Sequence, residues 1–222
     1  KIWRELEAGN EWVLDADLRD FFGSVDHEKL LTLVNQRVAD GRVLGLINQI
    51  LKAGCVADGQ RLATEDGVPQ GGVISPLMSN ILLTPFDREM RQRGFRVTRY
   101  ADDWAVTCKT REEAQAALRA AQRILDALGV TLHTGKTRIV HVRQGFEFLG
   151  YKLKRGQRPL RLAPGKIRSG VRKGDLYAFP REKSIQHFKD QIRRRTRRKA
   201  PLGTRDLIEQ INPVIRGWGQ YY

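Results

Sequence analysis

Two cysteines in 222 residues, Cys55 and Cys108, are too few for a disulfide framework or a zinc site. Both read as core or loop thiols of a reducing compartment. The four histidines, His27, His133, His141 and His187, are scattered without metal-ligand spacing. No run of ~18 apolar residues occurs, so no helix is expected to span a membrane. Where a secretion signal would need an apolar stretch, the first twenty residues carry Glu5, Glu7, Glu11, Asp15 and Asp17. The expected location is therefore cytoplasmic. Lys1 stands where an initiating Met would, which leads to the expectation that the sequence is an excerpt of a longer one. Internal repeats and low-complexity segments are also lacking. What remains is ordinary for a globular chain: 25.4 kDa, 41% hydrophobic and 29% charged residues. A chain of this length can bury roughly 70% of its unfolded surface.

Acidic residues are scarce in one stretch only. Residues 1–151 hold 20 Lys/Arg and 20 Asp/Glu, whereas residues 152–199 hold 18 Lys/Arg against Asp175, Glu182 and Asp190. The net charge of +15 thus lies in one 48-residue segment. That segment ends in Arg193-Arg194-Arg195-Thr196-Arg197-Arg198-Lys199. An isolated basic run is commonly a solvated helix face. Eighteen cations beside a neutral domain point instead to a polyanion, whose counterions they would release. Nucleic acid is the favoured partner, ahead of an acidic membrane surface.

Periodicity predicts a strand over Trp12 to Leu18, with Asp15 and Asp17 on one face. Asp26 caps a helix from His27 to Ala39, with Gly41 closing it. A second helix is expected over residues 42–53, then loop and short strand from Gly54 to Gly67. Ser75-Pro76 reads as an N-cap followed by proline at the first helical position. The helix it opens runs to Arg93, with Pro85 kinking it. Phe95–Tyr100 and Trp104–Cys108 read as a hairpin around Ala101-Asp102-Asp103. Thr110 and Glu113 form a capping box before a helix ending at Leu128-Gly129. Strands are expected over 138–142 and 146–153, and helices over 181–199 and 204–217. The order β-α-α-β-β-α-β predicts an α+β fold, an antiparallel sheet with helices on one face, followed by a basic helical segment. The predicted boundary separates residues 1–153 from 154–222.

Buried carboxylates on a strand cost free energy unless they are paired or bind metal. Asp102-Asp103 in a turn are bland alone, since Asp favours turns. A strand Asp with two hairpin-tip Asp residues nevertheless assembles hard oxygen ligands suited to Mg²⁺. Two such ions can stabilise both the attacking and the leaving oxygen of a phosphoryl transfer.

Tyr100-Ala101-Asp102-Asp103 resembles the YxDD box of reverse transcriptases, and Asp15-Ala16-Asp17-Leu18-Arg19-Asp20-Phe21-Phe22 resembles their first carboxylate strand. Gly67-Val68-Pro69-Gln70-Gly71-Gly72-Val73-Ile74-Ser75-Pro76-Leu77 is similar to the PQG block of that family. Leu132-His133-Thr134-Gly135-Lys136-Thr137 resembles the lysine-bearing block, and Phe146-Glu147-Phe148-Leu149-Gly150-Tyr151 the primer-grip hairpin. From Phe179-Pro180 to the end, Ile211-Asn212-Pro213-Val214-Ile215-Arg216-Gly217-Trp218-Gly219-Gln220-Tyr221-Tyr222 included, the tail resembles the thumb or maturase segment of group II intron proteins.

The resemblance implies a polymerase palm over 1–153, with the fingers region largely absent, and a thumb over 154–222. It implies an RNA-directed DNA polymerase of group II intron type, holding two Mg²⁺ ions (Mn²⁺ able to substitute) on Asp17, Asp102 and Asp103. Lys136 matches a lysine near the triphosphate; alone it would read as a surface lysine. Leu18, Arg19, Asp20, Phe21, Phe22, Gln70 and Gly71 fall at the incoming nucleotide. Phe22 matches the aromatic under its sugar, although by itself it reads as core. Gly23 stands where group II proteins usually carry Asp. Phe148, Leu149, Gly150 and Tyr151 match the primer grip, and Arg193, Arg194, Arg195, Arg197, Arg198 and Lys199 the nucleic-acid grip. The implied partners are an RNA template, a DNA or RNA primer and dNTP, with intron RNA or a larger parent polypeptide beside them, in the nucleoid-associated cytoplasm of a bacterium. The rival readings are a splicing maturase with a vestigial polymerase site and an RNA-directed RNA polymerase.

Overall fold

The computed structural model describes residues 1–53, 55–57, 60–62, 67–68, 72–156, 174–196 and 203–222, with the backbone alone at 55–57 and 60–62. Two compact units divide the chain between His141 and Val142.

The first unit begins with a short helix α1 (Ile2–Glu7), then strand β1 (Trp12–Ala16), α2 (His27–Asn35) and α3 (Gly41–Lys52). A small hairpin, β2 (Cys55–Ala57) with β3 (Gln60–Leu62), precedes α4 (Ser75–Gln92). There follow β4 (Arg96–Tyr100), β5 (Asp103–Cys108), α5 (Arg111–Leu128) and β6 (Arg138–His141). The main sheet is antiparallel in the order β4-β5-β1-β6.

Alternation along these strands sorts the sheet into two faces. Leu14, Ala16, Val97, Trp104, Val106 and Cys108 turn toward the core, where they meet Leu82, Phe86 and Met90 of α4 and Ala114, Ala117, Ala121 and Leu125 of α5. The alternating set, Val13, Asp15, Ala105 and Thr107, lies on the opposite face. The expected layer of helices on one face of an antiparallel sheet is what the first unit contains.

Most local signals hold. Asp26 caps α2 by accepting from the amides of Glu28 and Lys29. Thr110 caps α5, and Gly129 closes it at φ 78°. Two expectations need correction. Gly41 opens α3 rather than ending the preceding helix, because Asp40 accepts from the Arg42 amide at 2.8 Å and starts a new helix there. Ser75 is not the N-cap of α4. Ile74 holds that position, and buried Ser75 accepts through its carbonyl from the Ser79 hydroxyl at 2.7 Å. Helix α4 is assigned without a break through Pro85. Helix α1 was not legible in the sequence.

The second unit contains an antiparallel sheet of β7 (Phe146–Phe148), β8 (Tyr151–Arg155) and β9 (Leu176–Pro180), then helices α6 (Glu182–Arg195) and α7 (Thr204–Tyr221). No sequence signal predicted β9. Phe188 of α6 stacks on Trp218 of α7 with ring centroids 4.6 Å apart. Among the described residues no helix is long and apolar enough to cross a membrane.

Candidate active site

The ends of β1 and β5 and one side-chain hydrogen bond bring the first three candidate residues together. Ala16 of β1 pairs with Trp104 of β5, and Asp15 pairs with Arg138 of β6. Asp103 opens β5 beside Trp104, which faces Ala16, and past the end of β1 the Asp17 carbonyl accepts from the His133 amide at 2.9 Å. By the two-residue period Asp17 and Asp103 fall on the sheet face turned away from α4 and α5. Lys136 Nζ donates to Asp17 Oδ2 at 2.6 Å. That hydrogen bond and the charge of Asp17 hold the ammonium above the usual lysine range; burial opposes them, and the charges of Asp103 and Asp102 add less than burial removes. Three carboxylates thus act on one cation. Asp15 belongs to a separate pair, with Arg138 donating to its Oδ2 at 2.9 Å.

The pairing of Tyr100 with Asp103 leaves Ala101 and Asp102 as a two-residue turn. Ala101 has φ 52°, a left-handed conformation that favours glycine. Arg99 lies beneath it. Its Nε and Nη2 donate to the two carboxylate oxygens of Asp87 at 3.0 and 2.8 Å. Its Nη1 donates to Asn80 Oδ1 at 2.9 Å and to the Ala101 carbonyl at 2.8 Å. Sequence reasoning missed this group, since nothing local marks a strand arginine as the partner of two residues on the preceding helix.

On the nucleotide side, Leu18 and Phe21 are buried in the core, Arg19 and Asp20 are exposed, and Phe22 is half-buried. Phe22 opens a short 3₁₀ turn, Phe22–Ser24, and meets Phe21 edge-on at 5.5 Å. Asp20 has φ 42°, and its carboxylate folds over Gly23, where an added Cβ would fall 2.6 Å from Oδ2. Gly67 and Val68 close on the turn from outside. The Val68 amide donates to the Phe22 carbonyl at 2.7 Å, and the Gly67 amide donates to that of Val25 at 2.8 Å. Gln70 and Gly71 lie outside the described residues.

In the second unit, Phe148 pairs with Tyr151, leaving Leu149 (φ 48°) and Gly150 (φ 79°) as the turn. Positive φ at both central positions is the turn type whose twist matches a hairpin. The Tyr221 hydroxyl donates to the Leu149 carbonyl at 2.7 Å, and the Arg181 amide donates to that of Gly150 at 2.9 Å. Arg193 and Arg194 are exposed in the last turn of α6, and Arg195 is half-buried. Arg193 pairs with Asp190 at 3.3 Å, and Arg195 folds back on the Gln191 carbonyl at 2.9 Å. Arg197, Arg198 and Lys199 lie outside the described residues.

Asp17, Asp102 and Asp103 carry hard carboxylate oxygens, the donor type that Mg²⁺ takes. Among the described residues, no group of three or more His, Cys, Asp or Glu side chains stands close enough together to hold a metal ion.

Residues 3–153 match the family model for reverse transcriptase (RNA-dependent DNA polymerase). The chain belongs to the reverse transcriptase family. Residues 185–222 match the group II intron, maturase-specific domain, so a maturase segment follows the reverse transcriptase segment. Protein YkfC of Escherichia coli is 33% identical, over 66% of this chain and 48% of that protein. Group II intron-encoded protein LtrA of Lactococcus lactis is 32% identical, over 55% of this chain and 20% of that protein. The chain thus spans about half of one relative and a fifth of the other. Two telomerase structures share the fold. That of Candida albicans, in complex with a fragment of telomeric RNA, aligns with a TM-score of 0.56 and 13% identity over 96% of this chain and 40% of its own. That of Candida tropicalis, truncated from its C-terminal domain, aligns with a TM-score of 0.54 and 14% identity over 68% and 36%.

Proposed function

We propose that the protein is an RNA-directed DNA polymerase of group II intron type, joining dNTPs to a primer 3′-hydroxyl on an RNA template. The observation that carries this reading is the Lys136–Asp17 hydrogen bond with Asp103 and Asp102 close enough to act on the same ammonium, beside the YADD turn and within the reverse transcriptase match. Asp17, Asp102 and Asp103 would hold Mg²⁺, as two ions, with Mn²⁺ able to substitute. When bound, the metal would offset the charge that develops on the attacking and leaving oxygens. Lys136, kept charged by Asp17, holds a proton at Nζ beside the site, where departing pyrophosphate can take it. The ring of Phe22 would lie against the sugar of the nucleotide. The cations of the tail would hold the template–primer duplex by its phosphates, which carry position rather than sequence.

A second reading, binding of intron RNA as a splicing maturase, is favoured by the match over residues 185–222 and can coexist with the first. One variant separates them. Asp102→Asn should lower primer extension by ~100-fold or more, because a charged ligand of the transition state is lost. Binding of template–primer and of intron RNA should be retained. Near-normal cDNA synthesis by that variant would overturn the polymerase assignment.

A further inference from the structure

The side chain of Arg99 is 8% exposed, and that of Asp87, its partner on α4, is 14% exposed. A buried ion pair adds little net stability over an apolar pair of the same shape, because desolvation offsets its attraction. What it does supply is direction. The guanidinium fork on both oxygens of Asp87, with Asn80 as a third acceptor, leaves Arg99 one orientation. In that orientation Nη1 also reaches the Ala101 carbonyl.

That carbonyl belongs to the peptide joining Ala101 to Asp102. Holding it fixes the plane of the peptide, and with it the direction in which the chain enters Asp102 and Asp103. The same residue is at φ 52°, a conformation in which an alanine Cβ is crowded and which persists only where the surroundings impose it. We propose that Arg99, anchored on Asp87 and Asn80 of α4, is a positioning residue that imposes the left-handed turn at Ala101 and so aims the Asp102–Asp103 carboxylates. The proposal rests on the polymerase reading for its consequence in catalysis, but not for its geometry.

Lysine is not an equivalent replacement, since a point charge on a flexible stem cannot fork onto Asp87 and reach the turn together. In the intact protein, Arg99→Lys should lower kcat for primer extension by ~100-fold, the loss that a displacement on the order of 1 Å produces. It should raise the Mg²⁺ concentration needed for half-maximal rate and leave duplex affinity unchanged. Amide exchange at Asp102 and Asp103 should accelerate. Adding A101G to Arg99→Lys should restore at least ~10-fold of the rate and slow the exchange again, because glycine takes a positive φ without the Cβ penalty. Asn80→Ala, which removes one anchor and keeps the ion pair, should shift every readout in the same direction by a smaller factor. It serves as the test if Arg99→Lys does not fold. Unchanged exchange and rate in both variants would overturn the proposal. So would a damaged Arg99→Lys or Asn80→Ala protein that A101G does not repair, which would make Arg99 a prop of the fold alone. A wild type without polymerase activity, in which exchange still quickens in Arg99→Lys and slows again with A101G, would overturn the polymerase reading and leave the hold on the turn standing.

Discussion

The Nε2 of buried His27 lies 2.5 Å from the carbonyl oxygen of Gly67, forty residues away along the chain. His27 is the first residue of α2, and the amides of Gly67 and Val68 close on the turn that carries Phe22. One imidazole therefore ties that turn, the start of α2 and the strip leading toward Gln70 into a single unit. Space there is short. A Cβ on Gly67 would fall 2.8 Å from the Phe22 carbonyl oxygen and 3.0 Å from Gly23 Cα.

His27→Leu keeps an apolar filling but leaves the Gly67 carbonyl without this donor. An unmade buried hydrogen bond costs about 1–3 kcal/mol. Denaturant unfolding should show a loss of that size, with the midpoint lowered and the slope unchanged. His27→Gln, whose amide can donate along a similar path, should lose less. Equal losses in the two variants would assign His27 to packing alone.

Much of the palm was legible because its signals are local. The two-residue period of β1, the Asp26 and Thr110 caps and the glycine after α5 each act within a few residues, and each appears where expected. Gly41 shows the limit of such signals. Glycine suits the end of one helix and the start of the next, and only the bond from Arg42 to Asp40 decides between them. The carboxylates of the candidate site were found through motif resemblance, whereas what holds them was not. Arg99 and Asp87 are twelve residues apart on different elements, and Lys136 and Asp17 are 119 apart. Pairings of that separation are set by the fold, and no periodicity records them. Strand β9 was missed for the same reason, since its partner β8 precedes it by a long interval.

Cys108 gives a prediction about pH. It is fully buried at the end of β5, and burial pushes its thiol from an ordinary value near 9 up to about 12. The raised value favours the protonated, folded form. Its contribution is complete below pH 9 and is lost as pH rises through 12. Between those limits each pH unit should remove up to ~1.4 kcal/mol. Cys108→Ala should flatten this alkaline limb of unfolding free energy while lowering stability at neutral pH. A wild-type limb no steeper than that of the variant would contradict the burial argument.

The salt dependence of nucleic-acid binding tests the tail. Of the three arginines ending α6, Arg193 is paired with Asp190 and Arg195 with Gln191, whereas Arg194 has no such partner among the described residues. Replacing all three with Gln should reduce the log–log slope of affinity against salt by about 1 to 3, at roughly 0.9 per phosphate released. Different sequences should weaken about equally, since phosphate contacts carry no base readout. An unchanged slope would return these arginines to helix stabilisation, a role that cations in a last turn also serve.

The proposed preference for dNTP over rNTP can be tested at Phe22. That residue stands five residues beyond Asp17, so a nucleotide whose phosphates lie at the carboxylates would bring its sugar past this turn. The root of the ring is fixed on two sides. The Phe22 carbonyl accepts from the Val68 amide at 2.7 Å, and the ring rests edge-on against Phe21, itself 3% exposed. A ring so held cannot yield to an added 2′-hydroxyl without strain. Exclusion of a group that small is worth ~1–3 kcal/mol, or roughly 10–200-fold in kcat/KM. Phe22→Ala should therefore raise ribonucleotide incorporation toward the deoxyribonucleotide level and leave the carboxylates intact. The measurement is single-nucleotide extension with dNTP and rNTP on one RNA template, wild type beside variant. A wild type that uses both equally would favour an RNA polymerase. A wild type that discriminates, with a variant that discriminates as well, would keep the polymerase and assign Phe22 to the core.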